Sequence, residues 1–290
     1  MARGWWRQTM NFLKASLLIF SLALTSLTVA CRNESIKPQA SVSGSTPPNE
    51  SVILTSDKIL QHANALSERI VVPNDLVYEK TKTYAAIPLR QLLNQIGFNT
   101  RSTNGELVAT CSDGYKAVIP ISEAFDGTGF LAFSDGLSTE PVGFSWVKTS
   151  AGVINPEPLY LVWTNANAAT RKWPYQIQKI EIFASGWTLR LAAPSGSASL
   201  SARHGFDLLR KNCSSCHSIN GAGGRVAVDL NVPMNVTEYW REPFLRKLIV
   251  NASSVRAGAK MPSFPNLTDS DVDEILSYLR EMRSRKMVGN

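Results

Sequence analysis

Cysteine and histidine are scarce in this chain of 290 residues: Cys31, Cys111, Cys213 and Cys216 are its four cysteines, and His62, His204 and His217 its three histidines. A structural zinc site needs four such ligands close together, and no cysteine or histidine follows His217. An excess of charge of one sign is nearly missing too. The formal net charge is +7, but Arg3, Arg7 and Lys14 precede the first long apolar run, and without them 7 − 3 leaves +4. So small an excess provides no basic surface for phosphates, and nucleic-acid binding is not expected. No internal repeat is visible. The length gives room for about two domains.

What the chain does have is order among its few soft ligands. Three of the seven cysteines and histidines fall together in Cys213-Ser214-Ser215-Cys216-His217. Two thiols three positions apart can each form a thioether to one of a haem's two vinyl groups, and the adjacent imidazole is then delivered to the iron. The spacing predicts attachment of one covalent c-type haem, with Cys213 and Cys216 as thioethers and His217 as the proximal iron ligand. The competing readings are a thioredoxin-like pair, which needs a βαβ context missing here, and half of a zinc site, which needs further ligands nearby.

The N-terminus reads as an address. Behind the basic residues comes an apolar run, Leu17, Leu18, Ile19, Phe20, Ser21, Leu22, Ala23 and Leu24, continuing to Ala30. It is expected to be an export signal over residues 1–30. Leu27-Thr28-Val29-Ala30-Cys31 resembles the lipobox of bacterial lipoproteins, which implies lipidation at Cys31 and a membrane anchor. The pattern has Leu three residues before the cysteine, where this chain has Thr28; cleavage near Ala30 and an uncleaved anchor are the alternatives. Arg32 in place of Asp resembles lipoproteins sent to the outer membrane, which implies a place on the periplasmic side. Residues 31–52, rich in serine and proline and without apolar periodicity, are expected to form a flexible tether. A second break at residues 192–200, Ala-Ala-Pro-Ser-Gly-Ser-Ala-Ser-Leu, separates a domain at 53–191 from one at 201–290.

The middle domain is expected to be α+β and rich in strands. Leu89, Leu92, Leu93 and Ile96 stand at helical spacing, with Gly97 as the stop. Leu107, Ala109 and Cys111 alternate along one strand; residues 116–121, 160–163 and 177–183 are three more. Asp113-Gly114, Asp126-Gly127 and Asp135-Gly136 are turn signals, in which turn chemistry alone accounts for the carboxylates. Trp146, Trp163, Trp173 and Trp187 are expected to be core or rim packing, and His62 a surface helix residue. The segments Tyr84-Ala85-Ala86-Ile87-Pro88-Leu89, Ser112-Asp113-Gly114-Tyr115, Pro158-Leu159-Tyr160-Leu161-Val162-Trp163 and Trp173-Pro174-Tyr175 resemble the molybdopterin-binding domain of the sulfite-oxidase superfamily over residues 80–185. In that family a cysteine thiolate binds molybdenum, and the resemblance implies Cys111 as the candidate. Ser112-Asp113-Gly114 follows it where the family has an Asn/Arg-containing segment. The alternative is a small buried side chain on the core face of its strand. With Cys31 lipidated and Cys213 and Cys216 on haem, Cys111 has no disulfide partner.

From Ser201 the pattern turns helical, which predicts a small all-α domain. Phe206, Leu208 and Leu209 lie on a helix running into Cys213. A last helix is predicted behind Thr268-Asp269-Ser270-Asp271, a capping-box variant, with Val272, Ile275, Leu276, Leu279 and Met282 on one face. Gly205-Phe206 ahead of the C-x-x-C-H box resembles the crossing of first and last helices in class I cytochromes c, which implies Phe206 near Tyr278. Met261, in Lys260-Met261-Pro262-Ser263-Phe264, resembles the family's M-P-x-F loop, which implies the distal iron ligand; Met234 is the competitor. Met282 lies on a core face, Met287 near the chain end and His204 before the attachment helix. After the box, Gly221-Ala222-Gly223-Gly224 and Asp229-Leu230 follow the family pattern, but Ala227-Val228 replaces Gly-Pro. Residues 235–249, with Tyr239 and Trp240, are expected to cover one haem edge.

His/Met ligation favours Fe(II) and leaves no open position on the iron. The expected function is therefore single-electron transfer between redox-protein partners, with the middle domain as docking or scaffold module. The second reading is a molybdenum oxidoreductase in which Cys111 holds the metal and the haem drains its electrons.

Overall fold

The structure is a computed structural model and describes residues 51–98, 105–136, 143–149, 152–165, 168–183 and 190–287. The expected signal at 1–30, the tether apart from its last two residues, the lipidation site Cys31 and Trp187 lie outside the described residues. Among the described residues, no helix is long and apolar enough to cross a membrane.

Strand β1 (Val52–Thr55) leads into the short helices α1 (Ser56–Leu60) and α2 (Ala63–Leu66), then β2 (Glu68–Asp75) and β3 (Lys80–Pro88). Helix α3 (Leu89–Gln95) precedes β4 (Glu106–Cys111) and β5 (Lys116–Pro120); α4 (Ile121–Ala124) precedes β6 (Gly129–Ser134). A small ribbon, β7 (Val147–Thr149) with β8 (Gly152–Ile154), is followed by β9 (Tyr160–Trp163) and β10 (Ile177–Phe183). Two antiparallel four-stranded sheets result, in the orders β1-β10-β4-β5 and β2-β3-β6-β9. The predicted helix and four predicted strands are present. Of the strands not predicted, β6 lacked a period-2 signal because it is buried on both faces: Leu131 points into the core between the sheets, whereas Phe130 and Ala132 pack in a second cluster. A strand covered on both sides reads as a continuous apolar run.

That second cluster contains polar chemistry the sequence reading did not anticipate. Asp75, 1% exposed, accepts hydrogen bonds from the Val77 and Tyr78 amides at 2.9 Å and from the phenols of Tyr84 at 2.8 Å and Tyr160 at 3.1 Å. Burial, and then the Asp75 carboxylate, push both phenols above their ordinary range. Asp135 was expected to be explained by its turn; instead it is buried and accepts from Lys82 Nζ at 2.7 Å and from the Ser145 amide at 2.9 Å. A buried carboxylate requires such partners.

The helical part begins with α5 (Leu200–Asn212) and includes a two-residue hairpin, β11 (Ser218–Ile219) with β12 (Ala222–Gly223). It continues through α6 (Val236–Tyr239) and α7 (Glu242–Val250) to α8 (Asp269–Met282). The hairpin is the one departure from an all-α domain, and the stretch expected to cover a haem edge is two helices, α7 starting with Pro243 in its first turn. Ser199 caps α5, and Thr268 with Asp271 forms the predicted capping box of α8. The helices α5 and α8 cross at Gly205, where an added Cβ would sit inside the Glu274 carbonyl. Beside the crossing, the rings of Phe206 and Tyr278 lie 5.4 Å apart. The break at 192–200 is anchored at its start: Ala192 is 1% exposed and its carbonyl accepts from the Tyr278 hydroxyl at 2.5 Å.

Residues Pro48–Asn290 form one compact unit. Gly205→Ala is expected to cost about 3 kcal/mol by forcing α5 off α8, measured by denaturant unfolding; a variant as stable as the parent would refute the crossing.

Candidate haem-attachment site

The end of α5 becomes the site without a break in its hydrogen bonding. The Cys213 amide donates to Leu209 O at 2.8 Å, and the Cys216 and His217 amides both donate to Cys213 O, at 3.1 and 2.9 Å. One turn of chain thereby carries both thiols and the imidazole out of the helix on a fixed arc. The returning loop closes tightly on it: the Gly224 amide donates to Ser214 O at 2.8 Å, and a Cβ at Gly224 would collide with Ser215 O. The glycines after the box are required by this approach.

His217 Nδ1 lies 2.8 Å from Val228 O. A carbonyl only accepts, so Nδ1 carries the proton and Nε2 keeps its lone pair for a metal. The substitution of Gly-Pro by Ala227-Val228 therefore leaves the orienting hydrogen bond intact. What holds that loop is Asp229, whose carboxylate accepts from the amides of Gly221, Asn231 and Val232 at 2.8, 2.8 and 2.9 Å. Burial opposes its ionisation, but these amides outweigh burial and keep the carboxyl below the usual range. A buried amide chain ties the loop to the last helix. Asn231 Nδ2 donates to Asn220 Oδ1 at 2.8 Å, and Asn235 Nδ2 donates to Asn231 Oδ1 at 2.7 Å and to Leu279 O at 2.8 Å. Asn231 and Asn235 are wholly buried. Sequence reading missed them, although asparagine between apolar residues without a turn glycine was a signal.

Cys213, His217, Leu248 and Met261 are shared by two adjoining cavities of about 90 and 560 Å³. Leu209, Val236, Leu245, Ile249, Ile275 and Leu279 wall the smaller one. The loop carrying Met261 is tied back to α7 by the Phe264 amide, which donates to Val250 O at 2.8 Å. The competitors lie elsewhere: Met234 is half exposed, Met282 is buried in the α8 core, and Met287 is half exposed. His204 pairs with Glu274 at 3.3 Å on the surface. Burial, and then Cys216, push the Cys213 thiol up to about 12. Burial and then Asp113 raise Cys216, while Lys172 opposes them.

The two domains meet at this turn. The Lys116 amide donates to Ser215 O at 3.0 Å, the Arg225 amide donates to Gly114 O at 2.9 Å, and Lys172 Nζ donates to Ser215 Oγ at 2.8 Å. The Asp113-Gly114-Tyr115 turn thus grips the residues between the two thiols, a contact no linear motif announced.

Cys111 ends β4 at 6% exposure, on the wall of a separate cleft. Burial, and then Asp113, push its thiol up to about 12. Among the described residues, no group of three or more His, Cys, Asp or Glu is placed to hold a metal ion. The cleft is lined by no lysine or arginine that would hold a pterin phosphate. His62 precedes α2 as its N-cap, away from either site.

Two free thiols, an oriented imidazole and a thioether around one apolar crevice form a donor set that fits a covalently attached haem. Residues 202–283 match the family model for cytochrome c, and this part of the chain is a cytochrome c domain, a family that carries covalently bound haem c. No curated protein matches the chain.

Cys111 is expected to resist iodoacetamide in the folded protein at pH 8.5 and to react on denaturation, since only the thiolate is the nucleophile. A thiol raised from 9.0 to about 12 keeps its proton longer in the folded state, so stability should fall as pH rises through that window. Rapid alkylation of folded protein would contradict this.

Proposed function

We propose that the chain is an exported, lipid-anchored electron carrier of the periplasmic side, held at the outer membrane through Cys31. Its cytochrome c domain passes single electrons between redox-protein partners, and the sheet domain is a docking or scaffold module beside it. The observation that carries this reading is that His217 and Met261 line the same two cavities while Nδ1 of His217 is committed to Val228 O.

Each residue has a stated part. Cys213 and Cys216 would hold the haem through thioethers, His217 Nε2 and Met261 Sδ would bind its iron, and the haem would supply one-electron chemistry. A thioether ligand stabilises the reduced iron more than a second imidazole would, which raises the potential. With His217 and Met261 both given to the iron, no open position would be left for oxygen or substrate, and the apolar walls from α7 and α8 keep water from the crevice. The Asp229 loop keeps the imidazole from rotating, so oxidation and reduction proceed with little reorganisation. Lys211, Arg225 and Lys260, placed near the box and the Met261 loop, favour an acidic partner.

Oxidised protein is expected to show a weak absorption band near the red end from methionine–iron bonding, lost in Met261→Ala; a variant that keeps the band refutes Met261 as ligand. Metal analysis of purified protein should give one iron per chain. Stoichiometric molybdenum would instead support the sulfite-oxidase-like reading, with Cys111 as metal ligand and the haem as internal acceptor.

A further inference from the structure

The cleft at the end of β4 is not used by the haem. Its volume is about 230 Å³, it opens to solvent on one side, and it is lined by Cys111, Asp113, Tyr115, Trp173, Tyr175 and Gln176. A cavity of about 150 Å³ is enough for one benzene ring. The cleft therefore has room for a substituted single ring and is smaller than the sites that take drug-sized ligands.

Its chemistry narrows the choice. Three aromatic side chains suit a flat ring, and among the described residues Asp113 is the one charged side chain of the lining, with no cation there to receive an anion. The Gln176 amide is already committed: Oε1 accepts from Ser112 Oγ at 2.8 Å and Nε2 donates to Asn155 O at 2.9 Å. Its backbone is committed as well, donating to Pro156 O at 2.9 Å and accepting from the Ser112 amide at 3.0 Å. These four bonds hold Gln176 at a φ of +55°, a region non-glycine residues seldom occupy. The cleft is thus preformed, and a ligand must bring a hydrogen-bond donor to Asp113.

Tyr115 belongs to two places at once. It lines the cleft, and its phenol hydrogen-bonds with the side chain of Ser215, which Lys172 holds from the other side. One hydrogen bond and the Ser215-Cys216 peptide separate the cleft wall from a haem-attachment thiol.

We propose that this cleft binds one neutral, single-ring hydroxylated aromatic, of the phenol class, and that Tyr115 transmits its occupancy to the C-x-x-C-H turn. The transmission rests on the haem reading above; the binding does not. Calorimetric titration of the haem-loaded protein with phenol should give one site per chain, and titration with benzoate should give none. Asp113→Asn should weaken phenol binding severalfold, and Cys111→Leu, which fills the cleft, should abolish it. Ser215→Ala, which lies outside the cleft lining and removes the partner of the Tyr115 phenol, should keep the binding but lose the shift that phenol produces in the haem absorption bands and midpoint potential. Equal binding of benzoate, or unchanged phenol binding in a folded Asp113→Asn protein, overturns the site. Phenol binding without any haem shift in the parent protein overturns the transmission. If the purified protein carries no haem, the electron-carrier reading fails, and the calorimetry still decides the cleft.

Discussion

The approach of α5 to α8 at Gly205 is the constraint from which the helical domain is built. Two helix backbones in contact leave no freedom in the axial position of α5, and the attachment turn is the direct continuation of its last hydrogen bonds. The height of Cys213 and His217 over the crevice is therefore set by a glycine two helical turns upstream. Phe206 on Tyr278 and the Tyr278 hydroxyl on Ala192 lock the same crossing from its flank. The opposite wall is registered to α8 through Asn235 on the Leu279 carbonyl. The Met261 loop is referred instead to α7, through the Phe264 amide on the Val250 carbonyl.

The sheet domain approaches this site through its turns. Its own stability comes from the core between the sheets, against which Tyr115 packs, and from the polar cluster of Asp75, Tyr84 and Tyr160. What reaches the attachment turn is the Asp113-Gly114-Tyr115 turn and Lys172, presented by rigid strands. Loops positioned by a scaffold are where proteins usually place recognition, and here the partner recognised lies in the same chain.

The sequence was most legible where local chemistry is obligatory. The capping box at Thr268 follows from a short-range rule and is present, and the Gly205-Phe206 pair, expected from the class I cytochrome resemblance, has Glu274 and Tyr278 as neighbours. The Val228 carbonyl accepts from His217 despite the loss of Gly-Pro because any residue can supply that acceptor. Strand β6 was hidden because burial on both faces removes the alternation that would reveal it. Asp135 was misread because an aspartate before glycine looks the same whether it caps a turn or neutralises a buried lysine. The grip on Ser215 was invisible because the Lys116 amide, the Lys172 ammonium and the Tyr115 phenol that make it lie far from Ser215 in the sequence. The match to cytochrome c covers the helical domain alone, so the sheet domain's role rests on its contacts.

The hydrogen bonds from Lys116 and Lys172 to Ser215 also have a thermodynamic side. Ser215 belongs to the segment that covalent attachment would staple at both ends, through Cys213 and Cys216. Any agent that orders this segment removes entropy the sheet domain would otherwise have to remove when it docks. Attachment and docking are then linked functions, each raising the equilibrium constant of the other by the same factor. Through Ser215, the sheet domain would then contribute to the free energy of holding a haem.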